Sequence, residues 1–278
     1  MNSRSLLTAT LLLAALLPSS AQPRPALNAE EQAISAELRG LRSLPDAEWT
    51  PTVARLATEI HHLPAGPGKL VLISRLGNLV TEGDAGPDTL QTVASTMADV
   101  LQASPQAGLY ETLAQLVRYE HCTVALDSPP YRAALAKLQA DDERRQKADF
   151  TLRDLTATEW SLKKLRGRVV LVNFWATWCP PCRREMPDME TLYQRFGPRG
   201  LVILAISDED AAKVQPFVAG KFSYPILLDP GRQVNQLFAV EGIPKSFLYG
   251  RDGKLVAQAI DRRTQRQFLA MLKQAGLE

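Results

Sequence analysis

The spacing of apolar residues changes near residue 148, and this change constrains the fold more than any other feature of the chain. Before it, apolar residues recur every three or four positions, as at Val53, Leu56 and Ile60, which places them on one stripe of a helix. After it, the stretch from Arg168 to Phe174 is dominated by β-branched and other apolar residues, as expected of a strand covered on both faces. The sequence therefore predicts an all-α region followed by an α/β region.

The first region, residues 26–147, is predicted to form a helical-hairpin domain of about six helices. Asn28 with Glu31 matches a capping box, and three hydroxyl–proline pairs match an N-cap followed by proline at the first helical position. These pairs are Thr50-Pro51, Ser104-Pro105 and Ser128-Pro129. The domain is expected to bury its own apolar stripes, with a docking surface for a partner protein as the alternative. Its charged end, 141–147, is expected to lead into a domain boundary.

The second region, residues 148–278, alternates between strand and helix patterns and ends on a hairpin, because Asp252-Gly253 separates the last two strands. This order predicts a mixed sheet flanked by helices. The predicted strands cover 168–174, 201–206, 224–228, 246–249 and 255–260, and the predicted helices cover 181–196, 209–219 and 262–276.

Residues 1–21 have the three parts of a secretory signal peptide. Arg4 supplies a positive start, the 12 residues from Leu6 to Leu17 carry no charge, and Ala21 offers a small residue at the cut. This uncharged stretch is short for a spanning helix, which needs about 20 apolar residues, although an uncleaved anchor is the alternative. We therefore expect a periplasmic or otherwise exported protein whose thiols meet an oxidising compartment.

Composition narrows the possible functions without choosing one. Lysine and arginine number 32, and aspartate and glutamate number 30, so the net charge of +2 gives no reason to expect nucleic acid or an anionic membrane as the main partner. No glycine-rich phosphate loop follows a predicted strand, so nucleotide binding has no support, and no cofactor is expected. Three cysteines are too few for a disulfide-stapled scaffold, and their positions matter more than their number.

Cys179-Pro-Pro-Cys182 directly follows the strongest predicted strand and opens a predicted helix. The N-terminus of a helix carries partial positive charge and free N–H groups, which stabilise the thiolate of Cys179, the form that attacks a disulfide. Cys182 lies one turn into the helix and can reach back to form or resolve a disulfide. The spacing therefore predicts a reversible redox pair.

Two other interpretations of the cysteines are weaker. Structural zinc needs four ligands, and beyond the pair only Cys122, His61, His62 and His121 could complete the set, so no metal site is expected. A permanent disulfide is disfavoured by the two prolines and Trp178 at the helix start. Cys122 itself is expected to be a buried, inert thiol, with an intermolecular disulfide as the alternative.

The residues around this pair resemble the TlpA-like family of periplasmic or membrane-associated thioredoxins, which includes the thioredoxins of cytochrome c biogenesis. The resemblance rests on the run from Val169 to Pro187, which contains Asn173-Phe-Trp-Ala-Thr-Trp-Cys-Pro-Pro-Cys182 and Arg-Arg-Glu185-Met-Pro. Asp149-Phe-Thr-Leu152, Asp229-Pro-Gly231 and Gly242-Ile-Pro244 are further matches. The resemblance covers residues 149–278 and leaves the helical region out.

The resemblance implies a thioredoxin fold and a thiol–disulfide oxidoreductase that reduces disulfides of protein substrates and takes electrons from a membrane donor. It implies a cis peptide bond at Ile243-Pro244 beside the cysteines, where the backbone pairs with an extended substrate chain. We expect Trp178 to shield the disulfide and shape the docking face, with simple packing as the alternative. Lys245-Ser246 stands where the family commonly has threonines, so substrate selection can differ.

The resemblance also suggests which group moves the proton of Cys182. Asn173 occupies the position of a buried aspartate in cytosolic thioredoxins, and an amide cannot titrate. Glu185 matches the glutamate of TlpA-like reductases and lies three residues after Cys182, on a neighbouring helical face. We therefore expect Glu185 to act as the base, and the alternative is a surface charge favoured by the helix dipole.

Other functions stay open at this point. An oxidase or isomerase would share the fold, because reduction potential sets the direction of exchange. A peroxidase is less favoured, since no separate peroxidatic cysteine lies in the second region. In the third alternative the chain is a helical interaction protein whose thioredoxin domain is only a docking module.

Overall fold

The computed structural model describes residues 25–278, so the signal peptide predicted at residues 1–21 lies outside the described residues. The first half of the described chain is entirely helical, and one short 3₁₀ turn separates its first two α-helices. These six helices are α1 (Ala29–Gly40), α2 (Asp46–His62), α3 (Pro67–Gly77), α4 (Pro87–Ala103), α5 (Ala107–Tyr119) and α6 (Pro129–Lys147). The predicted all-α region is confirmed.

The predicted helix starts have mixed outcomes. The capping box is present, because Asn28 accepts from the Glu31 N–H and Glu31 accepts from the Asn28 N–H. α6 begins as predicted, with Ser128 at the N-cap and proline at the first position. The start predicted at Thr50-Pro51 is wrong because α2 begins earlier, at Asp46, and the Thr50 hydroxyl donates instead to the Asp84 carbonyl.

The start predicted at Ser104-Pro105 is also wrong, for a related reason. Ser104 ends α4, and its N–H donates to the Val100 carbonyl over 2.8 Å. α5 begins only at Ala107. The same pair of residue types therefore lies inside a helix at Thr50-Pro51 and just after the end of one at Ser104-Pro105.

The second half contains a five-stranded mixed sheet in the order β5-β4-β3-β6-β7 and a separate two-stranded sheet of β1 and β2. The central strand β3 runs parallel to β4 and antiparallel to β6, so that Phe174 lies opposite both Ile206 and Lys245. The strands are β1 (Thr151–Arg153), β2 (Glu159–Ser161), β3 (Val169–Phe174), β4 (Leu201–Ser207), β5 (Ile226–Leu228), β6 (Lys245–Tyr249) and β7 (Leu255–Ala259). The helices are α7 (Pro180–Phe196), α8 (Ala211–Val218), α9 (Gln233–Leu237) and α10 (Gln265–Gln274).

All five predicted strands are present in the main sheet, and the mixed sheet flanked by helices is confirmed. The small β1–β2 sheet and α9 were not predicted, because three to five residues give too little pattern to recognise. The last helix begins three residues later than predicted, since Thr264 forms a capping box with Gln267. This leaves Arg262 and Arg263 in a non-helical segment before α10.

Apolar residues form separate cores in the two halves. One core lies wholly between Ile34 and Leu138 and is built by the helices of the first half. Two more lie on opposite faces of the main sheet, one under α7 and α10 and one around Phe174 and Phe238. Among residues 25–278, no helix is both long and apolar enough to cross a bilayer.

Polar contacts of buried groups join the two halves. The Arg145 guanidinium of α6 donates to the Phe238 carbonyl over 2.9 Å, and the Tyr249 hydroxyl donates to the Arg145 carbonyl over 2.7 Å. Asp142 accepts from the Gln258 amide of β7 over 2.8 Å. The helical half therefore lies against the β7 edge of the main sheet, near the loops that precede α10.

Candidate active site

The two cysteines lie where β3 ends and α7 begins, and they form a disulfide. Cys179 is the N-cap of α7, and the Cys182 N–H points to the Cys179 sulfur over 3.2 Å. Free N–H groups and the positive end of the helix dipole therefore meet this sulfur. In the reduced protein this position favours the thiolate of Cys179 over that of Cys182.

The peptide bond between Ile243 and Pro244 is cis, which confirms the expectation drawn from the family resemblance. The Ile243 carbonyl oxygen lies 3.8 Å from the Cys179 sulfur. The backbone before Pro244 is thus placed beside the attacking sulfur, although Ile243 and Cys179 are 64 residues apart.

The disulfide lies just beneath the surface. Cys179 is 2% exposed and Cys182 is fully buried, whereas Trp178 is 67% exposed. Trp178 is the only large hydrophobic side chain that is exposed among residues 25–278. The simple-packing interpretation of Trp178 is therefore wrong, whereas Trp175, at 1% exposure, lies in the core.

A carboxylate that sequence reasoning missed holds the loop before Trp178. Glu209, in the loop after β4, accepts hydrogen bonds from the N–H of Thr177 over 2.6 Å and from its hydroxyl over 2.9 Å. Such a contact between two loops leaves no local signal in the sequence. It fixes the backbone that leads into the redox pair.

Glu185 lies on the buried face of α7, so its interpretation as a surface charge is wrong. Its Oε1 accepts from the Asn173 amide over 2.8 Å, and its Oε2 accepts from the Arg263 N–H over 3.0 Å. Burial raises the pKa of this carboxyl to about 8, although both hydrogen bonds and the charges of Arg262 and Arg263 pull it down. The group therefore changes charge within one unit or so of neutral pH.

Asn173 can form a hydrogen bond with Glu185 whether this carboxyl is ionised or protonated. Its amide nitrogen donates to Glu185 and to the Ser246 hydroxyl, over 2.8 and 3.0 Å, whereas its Oδ1 is buried without a partner within residues 25–278. Rotation of the amide by half a turn would offer that oxygen to a protonated Glu185 and to the Ser246 hydroxyl. Because an amide does not titrate, Glu185 alone can hold the proton of this pair. An aspartate at position 173 would compete with Glu185 for that proton.

The third cysteine belongs to the helical half. Cys122 is buried against the core of the helical half, and burial raises the pKa of its thiol to about 11. The structure thus supports the interpretation as an inert thiol. Within residues 25–278, no three side chains of the metal-binding types cluster together.

Comparisons with known proteins agree with this geometry. Residues 144–258 match the AhpC/TSA family model. The thiol-disulfide oxidoreductase ResA of Bacillus thuringiensis (strain Al Hakam) is 37% identical over 140 residues, which cover 48% of this chain and 81% of that protein. This chain belongs to the ResA family. Bacillus subtilis (strain 168) ResA is 34% identical over 134 residues, covering 48% of this chain and 75% of that protein.

As a ResA-family protein, the chain is a thiol-disulfide oxidoreductase, and Cys179–Cys182 is its redox pair. A solved thiol:disulfide interchange protein from Chlorobium tepidum TLS is 27% identical, with a TM-score of 0.43 and coverage of 46% of this chain and 92% of that one. Because the AhpC/TSA match begins at residue 144, it leaves the role of the helical half open.

Proposed function

We propose that this ResA-family oxidoreductase acts as a reductase of protein disulfides. The Cys179 thiolate attacks one sulfur of the target disulfide, which breaks that bond and releases the other target sulfur as a thiolate that takes up a proton. A mixed disulfide between Cys179 and the target remains. Cys182 then loses its proton and attacks the Cys179 sulfur, which releases the second target thiol and leaves the Cys179–Cys182 disulfide.

The buried carboxyl of Glu185 carries this proposal. Cys182 is fully buried, so its thiol needs an internal base before it can attack. Glu185 lies one helical turn further along α7, and residues three apart on a helix are neighbours. A carboxyl with a pKa of about 8 can take a thiol proton near neutral pH far better than an ordinary glutamate, because the two pKa values are close. Asn173 keeps the Glu185 carboxyl oriented in both of its charge states.

Substrate binding is proposed to use Trp178, Ile243 and Pro244. The exposed indole of Trp178 offers apolar contact area beside the disulfide. The Ile243 carbonyl, 3.8 Å from the Cys179 sulfur, is placed to accept a hydrogen bond from an extended target chain. This arrangement would bring a target sulfur to Cys179 without any cofactor.

The proposed reductase consists of a helical domain, 26–147, and a thioredoxin-like domain, 148–278, and is exported. The separate apolar cores of the two halves support this division. Each turnover leaves the protein oxidised, so a dithiol donor must restore it, and in an oxidising compartment that donor would be a membrane protein. N-terminal sequencing of the protein recovered from the exported fraction tests the cut proposed after Ala21.

Trapping experiments test the order of the cysteines. In Cys182→Ser, the mixed disulfide cannot be resolved, so target proteins should remain bound to Cys179 and be released by dithiothreitol. Cys179→Ser is the matched control and should trap no target through Cys182, because the helix N-terminus favours the thiolate at Cys179, the N-cap. Insulin reduction by the parent protein, and its loss in both variants, completes the test. Absence of trapping together with absence of insulin reduction would refute the reductase.

A redox titration of the pair tests the direction of exchange. A potential near those of thioredoxins, about −270 mV, with a Cys179 pKa near neutral, is expected for a reductase. A potential near about −120 mV with a strongly acidic thiolate would instead indicate a disulfide oxidase. Loss of both cysteines without loss of the biological phenotype would favour the third possibility, a docking module.

A further inference from the structure

The segment before α10 connects the proposed base to the helical half. Arg263 donates its main-chain N–H to Glu185, over 3.0 Å, whereas its guanidinium pairs with Glu120 at the end of α5. Arg262 forms a bidentate ion pair with Asp46 at the start of α2, over 2.6 and 2.7 Å. We call these two ion pairs, Arg262–Asp46 and Arg263–Glu120, the arginine clasp.

Three of the four side chains of the clasp are largely buried, and the fourth, Asp46, is 53% exposed. The side chains of Arg262 and Arg263 are 5% and 7% exposed, and that of Glu120 is 11% exposed. Loss of Asp46 would leave Arg262 with Asp188 and Glu185 as its nearby carboxyl groups. Loss of Glu120 would leave the buried guanidinium of Arg263 without its ion pair, which is strongly unfavourable. The segment would therefore shift until the arginine reached water, and the N–H bound to Glu185 would shift with it.

Charged groups approach Glu185 from several elements. Arg262 and Arg263 approach it from the segment before α10, and their charges lower its pKa against the effect of burial. Tyr224, before β5, stays protonated because its own pKa is raised by burial and by the charges of Glu190 and Glu185. From β3, Asn173 is a neutral donor.

Arg184, adjacent in α7, points to the helical half and donates to the Arg42 carbonyl over 3.2 Å. Its charge is countered in part by Asp46. Arg262 and Arg263 therefore pair with carboxylates of the helical half, and Arg184 contacts a main-chain carbonyl of the same half.

We propose that Asp46 and Glu120 of the helical half are positioning residues for Glu185: they hold the arginine clasp, and the clasp keeps the Arg263 N–H on the carboxyl group. This inference rests on the proposed role of Glu185 as base. It gives the helical half a part in the exchange reaction that needs no contact with the target protein. It also ties the rate of the second exchange step to an interface between the two halves.

The test uses the full-length protein and the pH profile of mixed-disulfide resolution. Release of the second thiol from a disulfide peptide is followed after mixing with reduced protein. In the parent, the rate should rise with pH around a midpoint near 8, where Glu185 loses its proton. In the double variant Asp46→Asn with Glu120→Gln, loss of the N–H bond should move this midpoint up by about one unit. A midpoint that stays in place or moves down would overturn the proposal, because the N–H would then stay on the carboxyl without the clasp.

Three further variants separate positioning from general stability. Asp84→Asn removes another ion pair between the halves, with Arg266 of α10, and should leave the midpoint unchanged. Glu120→Asp keeps the charge and should restore most of the parent profile. Asp46→Asn alone, at a residue whose side chain is 53% exposed, remains informative if Glu120→Gln fails to fold. Amide hydrogen exchange at 262–264 should speed up in the clasp variants and not in Asp84→Asn.

Glu185→Gln distinguishes failure of this inference from failure of the proposed function. If Glu185→Gln leaves the rise in rate with pH intact, Glu185 is not the base and the proposed function fails. If Glu185→Gln removes the rise in rate with pH, but the clasp variants leave the pH midpoint of the rate in place, only the inference fails. Adding the clasp substitutions to Glu185→Gln should then change the profile no further, since the clasp acts through that carboxyl.

Discussion

Glu185→Gln removes a carboxyl group that burial keeps protonated in the folded protein up to a pH of about 8. The pKa of a free glutamate is 4.5, and burial raises that of Glu185 to about 8. Between these two pH values the unfolded chain is ionised at this position whereas the folded protein holds a proton. The free energy of unfolding contributed by Glu185 therefore falls as pH rises from about 4.5 to about 8, and it levels off above that.

The size of the effect follows from the shift. One pKa unit corresponds to about 1.4 kcal/mol, so a rise from 4.5 to about 8 corresponds to at most about 5 kcal/mol. Relaxation of the site once it ionises reduces this, and we expect at least about 2 kcal/mol. Glutamine carries no charge, its oxygen can accept from the Arg263 N–H, and its NH₂ can face the unpartnered Oδ1 of a rotated Asn173.

The assay is urea unfolding of the oxidised protein at several pH values from 5 to 9. In the oxidised form neither Cys179 nor Cys182 titrates, so these groups do not contribute. Glu185→Gln should gain stability over the parent steadily between pH 5 and 8. Glu190→Gln is the matched control on the same helix, because hydrogen bonds lower the pKa of Glu190. The difference in free energy of unfolding between this variant and the parent should therefore not change with pH over this range. A flat difference for Glu185→Gln as well would refute the raised pKa and, with it, the proposed base.

Three other predictions concern separate parts of the molecule. Cys122, with a pKa of about 11, should be about one thousandth thiolate at pH 8, so iodoacetamide should label it only after urea unfolding. Trp178→Ala should raise KM for a protein disulfide several-fold without lowering Tm, because the indole is exposed; a large fall in Tm would contradict this. Asp229→Ala should cost about 2–4 kcal/mol in urea unfolding, since the buried carboxylate accepts from three successive N–H groups at the start of α9; a loss under about 1 kcal/mol would contradict this.

Local chemistry decided which parts of the fold could be predicted. The capping box at Asn28 and the start of α6 at Pro129 are complete within a few residues, and both predictions were correct. At Thr50 the same residue types occur, but the hydroxyl finds a carbonyl 34 residues away. A sequence pattern cannot distinguish these cases, because the competing acceptor belongs to another element.

The site divides in the same way. The two cysteines are three residues apart at the start of one helix, so the motif alone predicted the redox pair. The family resemblance added Glu185 and the cis bond before Pro244. The groups that hold Glu185 and the entry loop come from distant loops: Arg263 is 78 residues from Glu185, and Glu209 is 32 residues from Thr177. The adjacent arginines at 262 and 263 were placed in a predicted helix, whereas they precede α10, which begins at Gln265.

The helical half was predicted either to bury its own stripes or to offer a docking surface, and the structure points to a further use of its polar residues. Its apolar stripes do meet in a core of their own. Its charged side chains, however, meet the other half at the segment that holds Glu185 and along β7, which would otherwise be an open sheet edge. A helix with almost any polar side chains that can hydrogen-bond to β7 would cover this sheet edge. Pairing two buried arginines, in contrast, requires a carboxylate within ion-pair distance of each guanidinium. The placement of Asp46 and Glu120 is therefore better explained by control of the buried carboxyl than by protection of the sheet.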